Sequence, residues 1–303
     1  MAVLQGILSV LCTPFQENGS LDKKSLIRLV EHNLSWEVDG LVCFGLASEI
    51  YKLSDRERDE MLELVVEIAA GSVPVIAGTE HSGVETAAIR SQDAARAGAA
   101  AVMLYPPTFV KLAPSQVKEY YEEISQKAGV PIIIQDAPAW TDVPLPVDLL
   151  VEIKKIAPRV EYVKVEAPPT APKMAALLEQ GLTPLGGYGA LHLFEELSAG
   201  ITGTMPGCSL PGLYCDLWQL HDSARRAECW ELFTRALPLL SFQLGSLDLY
   251  VAVQKTLLTR IGVLSSSRLR RPGVKMTPAQ IEWLDFLMEK TGMDSYLGAR
   301  PQR

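Results

Sequence analysis

Short apolar runs alternate along this chain with longer segments in which apolar residues recur three and four positions apart. The runs occupy 7–14, 41–45, 74–79, 101–106, 131–136, 161–167, 183–188 and 201–207. The first six show little polar alternation, the pattern of parallel strands covered on both faces. The last two are richer in glycine and threonine. Between the runs, stretches such as EMLELVVEIAA and TAAIRSQDAARAG carry the spacing of amphipathic helices. Ser54-Asp55-Arg56-Glu57 and Ser82-Gly83-Val84-Glu85 open two of these helices with capping-box patterns. Gly71 and Gly98 end two helices just before a strand, where a left-handed residue is favourable. Eight strand–helix units by residue 207 predict an α/β fold, a closed (β/α)8 barrel. The remainder reads as helical and exceeds one outer helix. The pattern therefore predicts a barrel core over 1–207. The last barrel helix and a C-terminal helical extension then fill 208–303.

Composition narrows the function. The 303 residues are 48% hydrophobic and 21% charged, a globular balance, with a formal net charge of −8. An acidic chain has no general attraction for phosphate backbones or anionic lipid, so nucleic acid and membrane surfaces are excluded as expected partners. No apolar run approaches the roughly 20 residues that span a bilayer. The N-terminal segment lacks a basic region and runs straight into a strand pattern, so no signal peptide is expected and a cytoplasmic location is. The five cysteines are scattered and form no pair or histidine cluster of zinc-ligand spacing, which fits a reduced compartment and predicts no metal.

In such a barrel, chemistry gathers at the C-terminal ends of the strands. That rule selects Thr13, Gly45 to Glu49, Thr79 to His81, Tyr105, Gln135 and Asp136, Lys164 and Glu166, Gly187 and Tyr188, and Thr202. Lys164 stands inside an apolar strand, where an ammonium is costly to bury unless it is paired or neutral. A neutral buried lysine is an amine nucleophile toward carbonyls. Glu166 leaves the same strand face, because side chains alternate along a strand. Two readings follow from the residues: a reactive amine with a neighbouring base, or an ion pair without chemistry.

At these residues the chain resembles the dihydrodipicolinate synthase / N-acetylneuraminate lyase family, from Gly6-Ile7 and Thr13-Pro14-Phe15 to the stretch around Lys255 and Pro272. The resemblance implies a barrel with a C-terminal helical domain, a homotetramer, and a sixth-strand lysine that forms a Schiff base with a small-molecule 2-oxo acid. Lys164 falls on that position, and no cofactor is implied beyond the covalent imine. The departures are specific. The second-strand motif reads Gly45-Leu46-Ala47-Ser48-Glu49, without the family's paired threonines. The fifth strand reads Gln135-Asp136-Ala137-Pro138, with an amide where the family has its shuttle tyrosine. Trp140 stands where the synthase has its substrate arginine. Ser48-Glu49, His81, Gln135 to Pro138 and Lys164-Val165-Glu166 are similar to the 2-keto-3-deoxy-L-arabinonate dehydratase branch.

The resemblance thus implies Lys164, Glu166 and Gln135 as catalytic residues, with Glu166 as the base. Ala47, Ser48, His81, Gly187, Tyr188 and Thr202 become the expected substrate contacts, Ser48 gripping the carboxylate. Glu49 is read as a structural carboxylate. The expected activity is dehydration of a 2-keto-3-deoxy sugar acid. An aldolase or synthase of the same family is the alternative, and a non-catalytic 2-oxo acid sensor a third reading.

Overall fold

The computed structural model describes residues 3–298. Among these, eight parallel strands close on themselves: β1 (Gly6–Val10), β2 (Gly40–Cys43), β3 (Val75–Gly78), β4 (Ala101–Leu104), β5 (Ile132–Asp136), β6 (Val160–Val165), β7 (Thr183–Gly186) and β8 (Gly203–Thr204). The outer helices follow in turn. They are α1 (Lys23–Ser35), α2 (Asp55–Ala69), α3 (Val84–Arg96), α4 (Pro114–Lys127), a short α5 (Pro138–Thr141), α6 (Val147–Ile156), α7 (Thr170–Glu179), α8 (Leu193–Ser198) and α9 (Pro211–Asp222). Beyond them lie α10 (Arg226–Gln243), α11 (Leu247–Arg260) and α12 (Pro278–Thr291). No single helix among the described residues is long and apolar enough to cross a membrane.

The strands are apolar on both faces because each face meets a different core. Val163 and Val165 of β6 join the large cluster between sheet and helices. Tyr162 points inward with Leu8, Val42, Ile76, Ile133 and Leu185, filling the barrel as stacked layers of side chains. Alternation then carries Lys164 and Glu166 to the inside, above that filling. Gln135 stands level with Lys164, since the two residues are register partners across β5 and β6.

Local signals hold with two corrections. Ser54 and Glu57 form the reciprocal cap of α2, with Ser54 N–H donating to Glu57 at 3.0 Å. Gly71 and Gly98 are left-handed, at φ 74° and 103°. The cap of α3 is not Ser82. Gly83 is the N-cap, and its N–H donates to His81 Nδ1 at 2.9 Å. His81 thus satisfies the N–H of the cap residue itself, and no side chain caps the first-turn amides of α3. Thr202 is also misplaced by the sequence pattern. The run at 201–207 starts before β8, so Thr202 lies at the N-terminal end of the barrel, its carbonyl accepting Gly6 N–H at 2.8 Å. The residue that reaches the opposite end is Met205, just after β8.

Candidate active site

Lys164 and Glu166 are 4% and 6% exposed, and the lysine Nζ lies 3.2 Å from Glu166 Oε1. Two further donors hold the carboxylate. Gln135 Nε2 donates to Oε2 at 2.7 Å, and the Tyr188 backbone N–H donates to Oε1 at 2.9 Å. The first is possible because β5 and β6 are paired in register. The second requires Tyr188 to adopt a left-handed φ of 51°, a strained conformation of the kind that collects at functional sites. Gly187 is needed for space: a Cβ there would lie 2.6 Å from Glu166 Cγ and 2.9 Å from Lys164 Cε.

A cavity opens in front of this group. Val10 and Met205 line it from the barrel, Leu46 and Ala47 from the turn after β2, Trp140 from α5 and Tyr188 from the turn after β7. The two aromatic rings are 6.2 Å apart, and His192 lies 5.7 Å beyond Tyr188. The remaining wall comes from the C-terminal helices, through Leu244, Leu247 and Tyr250. Strand-end reasoning does not reach these three. In sequence they read as apolar helix core, and only tertiary packing brings them over the barrel mouth.

Ala47 therefore lies at the cavity, and Ser48 does not. The Ser48 hydroxyl is fully buried, donates to Leu11 O at 2.5 Å and accepts Gly45 N–H at 3.1 Å. Both capacities are committed to backbone, which removes it as a carboxylate grip. The Leu46 and Ala47 amides open a short turn (Leu46–Ser48) and have no carbonyl partner within it. Both residues line the cavity.

Other expected residues serve elsewhere. His81 is exposed and lines a separate recess with Arg58, Glu80 and Tyr105. Burial pushes the Glu80 carboxyl up to about 7, against the opposing charge of Arg58. Thr13 Oγ1 donates to Ser48 O at 2.6 Å, and Thr79 Oγ1 pairs with Ser91 Oγ at 2.9 Å. Asp136 faces the helix layer and pairs with Lys173 at 2.5 Å. Glu49 is completely buried and holds Lys255 at 2.5 Å, together with Lys52 and the Arg270 N–H, the structural part expected of it.

Residues 3–289 match the model of the Dihydrodipicolinate synthetase family. The chain is 32% identical over 282 residues to the L-2-keto-3-deoxyarabonate dehydratase of Azospirillum brasilense, covering 90% of each. It is 30% identical over 235 residues to the 4-hydroxy-tetrahydrodipicolinate synthase of Xanthomonas axonopodis pv. citri, covering 75% of this chain and 77% of the other. Among solved structures, the dihydrodipicolinate synthase of Rhodopseudomonas palustris superposes with a TM-score of 0.89 at 27% identity, over 95% of this chain and 97% of that one.

Proposed function

Because the chain belongs to the dihydrodipicolinate synthetase family, and so to a family of lyases, we propose that it dehydrates a 2-keto-3-deoxy sugar acid of the L-arabinonate type through an imine on Lys164. The observation that carries this reading is the Glu166 carboxylate beside the lysine, fixed by Gln135 and the Tyr188 amide. The Lys164 amine attacks the C2 ketone and water leaves, giving an iminium that acidifies C3. Glu166 then takes the C3 proton and the C4 hydroxyl departs. The Leu46 and Ala47 amides hold the substrate carboxylate, which backbone donors do well. Gln135 cannot exchange protons as a phenol does, and its part is to orient Glu166.

The relative that is a dehydratase supports this substrate class. Gln135 and Trp140, standing where a synthase needs tyrosine and arginine, argue against the synthase reaction. The imine is the only covalent device the reading requires. We extend the proposal to a cytoplasmic homotetramer. Phe109, 91% exposed, and the stacked, exposed Trp283 and Phe286 supply apolar surface for contacts between copies. Light scattering of the purified protein checks it.

The decisive experiment is borohydride trapping with pyruvate and with 2-keto-3-deoxy acids, read by mass. A reduced adduct is expected at Lys164 and nowhere else. Glu166→Gln is expected to form the imine yet dehydrate on the order of 10²–10⁴-fold more slowly, the usual contribution of a general base. Turnover by a protein whose Lys164 stays unmodified would overturn the mechanism.

A further inference from the structure

Expulsion of a hydroxyl group needs a proton donor as well as a base. The polar groups around the cavity leave few choices. Lys164 is consumed by the imine, Glu166 is the base, and the Gln135 amide is already donating to Glu166. An indole N–H, such as that of Trp140, hydrogen-bonds but does not give up its proton. Two phenols remain, Tyr188 and Tyr250. The Tyr188 ring is partly exposed at the mouth, between Trp140 and His192. Tyr250 is 6% exposed and comes from the first turn of α11.

Its place is prepared by three features. Ser246 caps α11, accepting Leu249 N–H at 3.1 Å, and so fixes the turn that carries Leu247 and Tyr250. Gly189 leaves room for the ring, since a Cβ there would lie 3.0 Å from Tyr250 Cε2. Gly207 leaves room for the phenol oxygen, which would stand 2.5 Å from a Cβ at that position. Burial holds the phenol proton well above its ordinary range, the Glu166 charge adds to this, and the Gly207 backbone opposes it by hydrogen bonding. The phenol is therefore protonated in the resting site, and Tyr250 lines the same cavity as Lys164 and Glu166.

We propose that Tyr250 is the general acid that protonates the departing C4 hydroxyl; this rests on the dehydratase reading above. Glu166 removes the C3 proton, and the pair from that bond forms C2=C3 while the iminium pair moves to nitrogen. The nitrogen pair then re-forms the iminium, C2=C3 shifts to C3=C4, and the C4–O bond breaks with its pair on oxygen. That oxygen takes the Tyr250 proton and leaves as water. The phenolate recovers a proton from the Glu166 carboxylic acid, so both groups return to their starting states.

The test is Tyr250→Phe, which keeps the ring and its packing, assayed with two substrates. One is the 2-keto-3-deoxy acid, and the other is its analogue with fluoride in place of the C4 hydroxyl, a leaving group that needs no proton. The expected result is wild-type imine trapping with pyruvate and a kcat on the hydroxy acid lowered on the order of 10²–10⁴-fold, with fluoride loss close to the wild-type rate. An unchanged kcat on the hydroxy acid, or an equal fall on both substrates, would overturn the assignment while leaving the dehydratase reading in place. A wild-type protein that traps pyruvate but dehydrates no 2-keto-3-deoxy acid would instead overturn that reading and this assignment with it.

Discussion

Lys164 and Lys255 are both buried lysines set against a glutamate, at 3.2 Å from Glu166 and 2.5 Å from Glu49. Their surroundings differ in every other respect. Lys255 and Glu49 are 0% exposed, and the ammonium also donates to Arg268 O and lies 4.5 Å from the Phe15 ring. Glu49 is saturated by Lys52 and the Arg270 amide. This pair ties α11 and the segment after it to the loop following β2. Lys164 has its carboxylate on one side and a cavity on the other. Its glutamate is held by groups that are not the lysine, so on the proposed mechanism the carboxylate keeps its position when the amine becomes an imine. Burial and pairing are common to both sites. The reactivity proposed for Lys164 rests on the open side and the independently anchored carboxylate.

The largest expected effects break the two pairs separately. Lys164→Ala should lose imine trapping and all detectable turnover while remaining folded, because Gln135 and Tyr188 still hold Glu166. Lys255→Met should do the opposite. Removing one partner of a buried pair destabilises by about 3–5 kcal/mol, which a denaturant midpoint reads directly. The fraction that remains folded should still trap pyruvate at Lys164. A folded Lys255→Met protein that traps none would erase the distinction between the two lysines.

A third buried carboxylate sharpens the comparison by having no lysine. Glu196 on α8 is 0% exposed, with no cation at ion-pair distance among the described residues. Burial pushes its carboxyl up to about 8, the Glu195 and Glu166 charges add to this, and Thr170 opposes it. The folded chain therefore keeps a proton that the unfolded chain releases near the ordinary value of 4.5. Glu196 stabilises fully below that value, and the contribution falls as pH rises toward about 8, by at most about 1.4 kcal/mol per pH unit. Glu196→Gln should remove that slope. Urea midpoints of both proteins at pH 5, 6, 7 and 8 check it, and parallel curves would mean that Glu196 is paired.

The barrel was legible because strands buried on both faces leave a pattern that little else produces, and because alternation alone puts Lys164 and Glu166 on one face. Gln135 was legible as a polar residue at the end of an apolar strand, and the register of β5 and β6 sets it level with Lys164. Tyr250, Leu244 and Leu247 were not, because a tyrosine among leucines and valines on a helix looks the same whether it faces core or cavity. Thr202 failed because β8 is only the two residues Gly203–Thr204, too short for a glycine- and threonine-rich run to mark its ends. Ser48 failed because sequence locates a hydroxyl without showing that two backbone groups have already claimed it.

The smallest effects test the two polar residues that stand near the site without belonging to the cavity. Ser48→Ala removes the partner of Leu11 O and of Gly45 N–H, both buried, and should destabilise by about 1–3 kcal/mol. His81→Ala removes only the side-chain acceptor for Gly83 N–H before α3, an exposed hydrogen bond, and should destabilise by about 1 kcal/mol at most. Both variants should keep the KM for the 2-oxo acid and the trapping yield, because neither side chain lines the Lys164 cavity. Paired measurements of denaturant midpoint and KM separate the outcomes. A raised KM in Ser48→Ala at unchanged stability would return the hydroxyl to the carboxylate site, and the same result in His81→Ala would join its recess to the cavity. Loss of stability alone leaves Lys164, Glu166 and their anchors as the chemistry, with Ser48 and His81 as the frame.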